Sequence, residues 1–258
     1  MGNSRKIKGL MENLFGKKRL VIARVSDLVK IGVDKGWLAD EFARIDKEVW
    51  ADLTDSNHMW TKDQILGHFD ICPEMMYCAM VNGEVVCTLT AIRTNAEDSL
   101  KNKSWLEKTG NGSLETHVPT GDMAFGASLS VSKAKQGIGS RMVLSAILIS
   151  LIGEGLKSVY LGARLPGYHK FNHALSAEEY VFSKREDGQR VDPEIRFFER
   201  KGFEIVEVVP EYMYDPDSCN YGIIMKWDNP LYRICLVFPL LRRLIKRLGI
   251  RFSLKLPE

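Results

Sequence analysis

The chain has 258 residues, of which 45% are hydrophobic, and its formal net charge is +3. This length and apolar content suffice for one sizeable core, and the nearly balanced charge argues against a nucleic-acid-binding protein. The five cysteines are odd in number and none is spaced C-x-x-C, which favours buried thiols in a reducing compartment over a disulfide framework.

The first third of the chain predicts strands and helices in alternation. Residues 1–18 are basic and show no clear periodicity. Arg19–Val25 alternates as a strand does, and apolar residues at helical spacing over positions 38–49 predict an amphipathic helix. Thr61 and Gln64 form a capping-box pattern, so a second helix is expected to begin there.

A hairpin and a third strand follow. Met76–Val81 and Glu84–Thr94 are strand-like runs on either side of Asn82-Gly83, which is a preferred two-residue hairpin turn. The polar stretch 96–119 is long for a loop inside a compact domain, which predicts a functional or a disordered segment. Met123–Ser132 is the next apolar strand.

That strand leads into a short basic loop that contains Gly137 and Gly139 and then into a long helix. Glycines allow a ligand to approach the backbone closely, and the first N–H groups of a helix are suited to bind phosphate. Lys133, Lys135 and Arg141 add positive charge. The sequence therefore predicts a phosphate site, although the glycines could instead serve only to pack the helix against a sheet.

The helix after Gly139 is apolar almost all round, which predicts burial against a sheet. Ser158–Arg164 is the next strand, and it would run parallel to the preceding one through a right-handed crossover. In such a unit the ligand site lies at the carboxyl ends of the strands. Phe203–Val209 and Tyr221–Trp227 are expected to complete the sheet.

The sequence also predicts where helices begin and end between residues 176 and 202. Ser176 with Glu179 forms another capping box. Asp192 precedes a proline suited to the first helical turn, and Gly202 is expected to end that helix in a left-handed conformation.

The glycine loop and the segment FFERKGF at 197–203 together resemble the Gcn5-related N-acetyltransferase (GNAT) superfamily, over roughly 19–227. The run GARLPGYHKF at 162–171 looks like the GNAT modules found fused to carbon-nitrogen hydrolase domains. The resemblance implies an α/β (α+β) GNAT fold. This fold has a mixed, mostly antiparallel sheet flanked by helices, with parallel fourth and fifth strands that splay apart.

The resemblance also implies a donor substrate, acetyl-CoA or another acyl-CoA. The backbone of Leu129 and Val131 would pair with the pantetheine arm. The pyrophosphate would bind at Lys135, Gln136, Gly137, Ile138, Gly139 and Ser140. This chain departs from the family pattern at Ala134, where arginine or glutamine is usual.

The implied reaction is acyl transfer from a thioester to the amine of a small molecule, which needs a base for the amine and an acid for the thiolate. The family commonly supplies that acid from a tyrosine at the position of Phe198, which cannot donate a proton. Tyr168 and His169 are the candidate substitutes. Asp122, Glu115 or a bound water could serve as base.

Other hypotheses remain open. A non-catalytic acyl-CoA-binding module would explain the missing tyrosine, and a longer acyl donor on CoA or an acyl carrier protein would suit a transferase near a membrane. His169 and His173 lie four residues apart, but no third ligand is apparent and no metal is expected.

The tail differs from the rest, so we divide the chain into a basic segment 1–18, a GNAT domain 19–229 and a tail 230–258. The tail predicts a basic amphipathic helix broken or kinked at Pro239. It could lie on a membrane, pack on the domain or form a homodimer. The longest apolar run, Ile234–Leu241, is too short to span a bilayer, so a cytoplasmic protein with membrane association left open is expected.

Overall fold

The computed structural model describes residues 20–52, 59–95, 103–133 and 137–255. Seven strands form one sheet. They are β1 (Leu20–Arg24), β2 (Met76–Val81), β3 (Glu84–Thr94), β4 (Met123–Val131), β5 (Ser158–Arg164), β6 (Glu204–Val209) and β7 (Gly222–Asp228).

Nine α-helices are described. They are α1 (Val25–Lys30), α2 (Lys35–Trp50), α3 (Lys62–Ile71), α4 (Trp105–Thr109), α5 (Ile138–Ala146), α6 (Ala177–Phe182), α7 (Pro193–Glu199), α8 (Tyr232–Val237) and α9 (Pro239–Lys255). Helix α5 continues directly into π-helical turns over Ile147–Ile152. Single 3-10 turns occur at Pro73–Met75, Tyr168–Lys170 and Pro216–Ser218.

The strand order is β1-β2-β3-β4-β5-β7-β6. Every neighbouring pair is antiparallel except β4 and β5, which are parallel. The predicted mixed, mostly antiparallel sheet with a parallel fourth and fifth strand is confirmed. The crossover that makes this one pair parallel is α5 with its π-helical turns.

Successive residues of a strand point to opposite faces of the sheet. On one face, called the α2 face, Phe42 of α2 packs edge-on against Phe69 of α3, and both belong to the main core. On the other, called the α5 face, Met142 and Ile149 pack against Tyr77 of β2. The sheet is therefore covered by helices on both sides.

Local sequence signals explain where elements begin. Thr61 and Gln64 form the predicted capping box, and so do Ser176 and Glu179. Asp192 caps α7 by accepting hydrogen bonds from the N–H groups of the second and third residues of that helix. The 82–83 turn has positive φ at both residues, and a break falls before Pro239, as expected. Val25, by contrast, begins a helix instead of ending the first strand, and the stretch 96–119 contains the short helix α4.

Four of the five cysteines are buried, and all five, which lie in the described ranges, are free thiols. Within those ranges no helix has both the length and the hydropathy needed to cross a membrane.

Candidate active site

The parallel strands β4 and β5 pair over only three residues each, Ala124–Gly126 with Val159–Leu161. Beyond that point β4 continues to pair with β3, and β5 continues to pair with β7. The two strands therefore splay apart toward their carboxyl ends and leave a gap in the sheet.

One edge of β4 is exposed in this gap. The N–H of Ser132 donates to the carbonyl of Val86 at 2.9 Å, and residues that bond across an antiparallel pair alternate along each strand. The N–H and C=O groups of Leu129 and Val131 consequently point away from β3 and into the gap. An extended ligand could pair with this edge as a strand does, as predicted for these two residues.

A β-bulge marks the point where the strands part. Thr90 lies opposite Ser128, whereas Ala91 lies opposite Gly126, so Ala127 is an extra residue on β4. Its carbonyl accepts a hydrogen bond of 2.8 Å from the indole N–H of Trp105 in α4. Bulges redirect backbone groups next to active sites. The hydrogen bond from Trp105 fixes this bulge from the α2 face.

The glycine loop enters α5 beside the same gap. Gly137 has φ +94°, and a Cβ added there would meet no described atom within 4 Å. A Cβ on Gly139 would lie 3.2 Å from the Val131 side chain and 3.5 Å from the Phe197 ring. Gly139 therefore serves close packing, whereas Gly137 leaves open space in front of the helix. The predicted contributions of Lys135 and Gln136 lie outside the described residues.

Ile138 and Ser140 form the first turn of α5 with Gly139. Their N–H groups precede the first complete helical turn and have no partner within the helix. The loop thus presents backbone donors at the positive end of the helix dipole.

A cavity of about 370 Å³ fills the gap and reaches both faces of the sheet. Most of its lining is apolar. The polar residues that line it on the α2 face and at the strand ends include Asp46, Trp50, Trp60, Trp105, Ser128, Arg164, Glu194 and Tyr212.

Tyr212, in the loop between β6 and β7, is 1% exposed. Its ring packs on two glycines in neighbouring strands, and a Cβ on Gly162 would lie 1.7 Å from the phenol oxygen while one on Gly222 would lie 2.4 Å from the ring. No residue in the described part of the chain hydrogen-bonds its hydroxyl. Because burial raises the pKa of Tyr212, the hydroxyl keeps its proton at neutral pH.

The main chain fixes Tyr212 from both sides. Its carbonyl accepts from the N–H of Trp105 at 2.7 Å, and its own N–H donates to the carbonyl of Asn220 at 2.8 Å. A buried polar group without a partner is costly and needs an explanation. Here the phenol lines the cavity beside Gly162, which directly follows the last residue of β5 that pairs with β4.

Arg164 ends β5 and forms a two-pronged ion pair with Asp215, with Nε and Nη2 at 2.7 and 2.9 Å from the carboxylate oxygens. Asp215 is fully buried and also accepts a hydrogen bond from Ser218. The guanidinium lies 5.7 Å from the centre of the Trp50 ring. These contacts fix the orientation of the arginine at the edge of the cavity.

Glu194 lies in the first turn of α7, beside Arg164. Its Oε2 accepts from the backbone N–H of Arg164 at 3.1 Å, and its Oε1 lies 3.8 Å from the guanidinium. Burial raises the pKa of Glu194 to about 7, against the opposing attraction of Arg164. A carboxyl group with this pKa can accept and release a proton near neutral pH.

Asp46 is a second carboxylate in the cavity, contributed by α2. It is 6% exposed and accepts hydrogen bonds from the N–H of Trp60 at 2.9 Å and the hydroxyl of Ser130 at 3.5 Å. Burial raises its pKa to about 6. Trp50 donates to the same Ser130 hydroxyl at 2.7 Å, so this part of the α2 face is a connected polar network within an apolar wall.

The acids and base expected from the sequence lie elsewhere. The Tyr168 hydroxyl donates to the carbonyl of Leu175 at 3.2 Å. The backbone carbonyl of Asp217 accepts a hydrogen bond of 2.9 Å from Nδ1 of His169. Asp122 precedes β4, at the opposite end of that strand from the glycine loop. None of these three candidates lines the cavity, whereas Leu129 and Val131 do.

Sequence reasoning missed Tyr212, Glu194 and Asp46. In the sequence, Glu194 looks like an ordinary acidic residue in the first turn of a helix. Asp46 looks like an ordinary polar residue of an amphipathic helix. Tyr212 has no local signal, because its role depends on the pairing of β5 with β7. Phe198 lines the cavity, so the usual tyrosine position does face the site, without a hydroxyl.

Histidine, cysteine and carboxylate side chains do not cluster in threes in any part of the chain that the structure describes. The titratable groups that line the cavity are instead two carboxyl groups, an arginine and the phenols of Tyr77 and Tyr212. Together with the glycine loop and the free edge of β4, they define an acyltransferase-type α/β domain with splayed parallel strands.

Comparisons with known proteins agree with this class. The uncharacterized N-acetyltransferase YkwB of Bacillus subtilis (strain 168) is 33% identical over 177 residues, which cover 68% of this chain and 77% of that protein. The probable hydrolase YhcX of the same organism is 27% identical over 176 residues, 67% of this chain and 34% of that protein. No protein-family model matches the chain.

Two solved structures share the fold. The loading GNATL domain of CurA from Lyngbya majuscula superposes with a TM-score of 0.66 at 16% identity, over 81% of this chain and 98% of that one. The GphF GNAT-like decarboxylase in complex with isobutyryl-CoA gives a TM-score of 0.62 at 21% identity, over 81% and 98%.

The chain therefore belongs to the GNAT superfamily and is an acyl-CoA-dependent N-acyltransferase. The resemblance deduced from the glycine loop and the FFERKGF segment is confirmed. The match to part of a protein named as a hydrolase is consistent with the resemblance to fused GNAT modules.

Proposed function

We propose that the cavity in the β4–β5 gap is the active site and that the acceptor is the amine of a small molecule. The donor pyrophosphate would bind at Gly137–Ser140 and the pantetheine arm along Leu129 and Val131. We call the point where β4 and β5 part, just after Gly126 and Leu161, the vertex of the gap. The observation that supports this assignment is the buried Tyr212 hydroxyl at the vertex, which has no hydrogen-bond partner in the described structure.

In the proposed reaction Glu194 accepts a proton from the acceptor ammonium, because its pKa is close to neutrality. The free amine attacks the thioester carbonyl, so a C–N bond forms and the C–S bond breaks. Tyr212 donates its proton to the departing thiolate. The nitrogen loses its second proton as the amide forms, and a proton passed through water from this nitrogen restores the Tyr212 phenol. N–H groups on the free edge of β4 would stabilise the oxyanion.

The walls of the cavity favour a cationic acceptor. Arg164 lies beside Glu194 and offsets its charge, whereas Asp46 supplies a carboxylate that has no cation next to it among the described residues, in a mostly apolar space. Trp50, Trp60 and Trp105 line the same region, and indole faces attract organic cations. We therefore propose a small apolar amine that carries a positive charge at neutral pH.

The experiment on the donor site compares Gly137→Asp with Gly137→Asn. Both side chains are tolerated similarly in the left-handed conformation that φ +94° demands, so the pair isolates the charge. We expect the aspartate variant to bind CoA at least about tenfold more weakly than the asparagine variant, because the added carboxylate would face the pyrophosphate.

Titration calorimetry on the full chain measures both affinities, and circular dichroism checks that both variants fold. Equal CoA affinity in two folded variants would place the pyrophosphate away from this loop. Binding of acetyl-CoA without CoA release in the presence of varied amines would instead favour the non-catalytic module.

The tail forms an amphipathic surface. Its inner side packs on the domain, where Lys246 pairs with Glu154 and Gly249 lies against Leu148. Its outer side carries Leu240 and Leu244, which are 75% and 53% exposed.

Leu248 continues this apolar row at 52% exposure. Arg243 and Arg247 are exposed beside it. Since an exposed leucine row flanked by cations suits an interface with acidic lipid headgroups, we propose that this side contacts an anionic membrane.

Full-length protein is expected to co-sediment with anionic vesicles at low salt and to dissociate as salt is added. The variant Leu240→Ser/Leu244→Ser/Leu248→Ser should lose this binding while keeping CoA affinity. The matched control is Val29→Ser, which removes an exposed apolar side chain elsewhere. Failure to bind anionic vesicles, or a concentration-dependent dimer abolished by the triple substitution, would contradict the membrane assignment.

A further inference from the structure

The cavity extends beyond the region beside Tyr212 where we place the reaction. On the α5 face it continues past the vertex of the gap to Ala124 and Val159, which form the first pair of the parallel ladder. Ala124 lies three residues before the bulge at Ala127, which corresponds to about 10 Å along an extended strand. We call this part, between the sheet and α5, the inner channel.

Small residues create the inner channel. Ala91, Ala124 and Gly126 form its floor on the strands, and Ala146 faces it from α5. Protein interiors are ordinarily filled to crystal-like density, so a row of small residues beneath a helix keeps space that larger side chains would occupy.

The π-helical turns shape the other wall. Ile147, Ser150 and Leu151 all lie in these turns and line the cavity. π-helical turns are rare and are found frequently at functional sites. The Ser150 hydroxyl is bonded to that of Tyr77, so the polar groups in this part of the lining satisfy each other.

We infer that the inner channel binds the acyl chain of the donor, and that the preferred donor carries a medium-length hydrocarbon chain rather than an acetyl group. This inference rests on the proposed function. A donor anchored at the glycine loop and running down the free edge of β4 would point its acyl end toward the vertex. The space beyond the vertex is apolar and follows the same direction, so a hydrocarbon chain is the group that fits it.

The test measures affinities of the full chain for CoA, acetyl-CoA, hexanoyl-CoA and octanoyl-CoA by titration calorimetry. Each buried methylene should tighten binding about fourfold, which corresponds to about 0.8 kcal/mol. We expect octanoyl-CoA to bind at least about tenfold more tightly than acetyl-CoA, since part of the chain could remain outside the channel.

Ala146→Leu is designed to fill the channel while preserving helix propensity. It should leave acetyl-CoA affinity unchanged and remove most of the octanoyl-CoA advantage. Leu144→Phe enlarges a 42% exposed residue of the same helix and should change neither affinity. Val143→Ala, which widens the channel, should move the preference to a longer chain and provides a test if Ala146→Leu fails to fold.

The outcomes separate the two proposals. If CoA itself does not bind, the proposed donor site is wrong. If CoA and acetyl-CoA bind but octanoyl-CoA binds no more tightly, the inner channel does not take the acyl chain. An octanoyl advantage that survives Ala146→Leu in a folded variant would overturn the inference in the same way.

Discussion

Tyr212→Phe should lower the turnover number about 10²–10⁴-fold, the range expected when a positioned proton donor is removed. Affinity for acyl-CoA should change little, because the aromatic ring is retained over Gly162 and Gly222. The expected loss is therefore confined to kcat.

The same substitution should not destabilise the fold. In the described structure the Tyr212 hydroxyl is buried without a hydrogen-bond partner, so removing it relieves a desolvation cost rather than breaking a bond. We expect an unchanged or raised melting temperature together with the loss of turnover, a combination that a merely structural tyrosine would not show.

The matched control is Tyr168→Phe. Its hydroxyl donates to the carbonyl of Leu175 at 3.2 Å, so its removal should cost about 1 kcal/mol of stability and little activity. The opposite pattern, in which Tyr168→Phe loses turnover and Tyr212→Phe does not, would restore Tyr168 as the acid.

Glu194→Gln should also reduce kcat/KM by about 10²–10⁴-fold near neutral pH, because it removes the proposed base. A general base works only when deprotonated. The wild-type kcat/KM is therefore expected to rise with pH through about 7, the pKa of Glu194, and to level off above it. In Glu194→Gln this rise should disappear.

Two further variants show which carboxyl group causes the pH dependence of kcat/KM. Asp46 has a pKa raised to about 6, so a rise centred there that is lost in Asp46→Asn would identify Asp46 as the base instead. Glu199→Gln alters another carboxylate of α7, which pairs with Arg190, and should leave the profile unchanged. A pH dependence unaffected by Glu194→Gln would remove that residue from the mechanism.

Much of the fold was predictable because its signals are local. The turn at Asn82-Gly83 and the cap at Asp192 depend on residues within three positions of each other. The glycine loop is equally local, and Leu129 and Val131 followed from the GNAT resemblance. The contributions of Lys135 and Gln136 remain predictions.

The groups proposed for proton transfer were not predictable because their positions depend on long-range packing. Tyr212 faces the cavity only because Gly162 and Gly222 meet through the pairing of β5 with β7. Tyr168 follows β5 in sequence and therefore appeared close to the site, but its ring packs against Tyr180 and Tyr221. Proximity along the chain therefore favoured Tyr168, which does not line the cavity in the described structure.

The central claim is that the donor sulfur lies beside Tyr212 in the gap between β4 and β5. A crystal structure of the full chain with bound CoA tests it most directly. We expect the sulfur to lie within about 3.5 Å of the Tyr212 oxygen, a hydrogen-bonding distance with allowance for sulfur, and the pantetheine amides to pair with Leu129 and Val131. CoA bound with its sulfur outside this gap, or nearer to Tyr168 than to Tyr212, would contradict it.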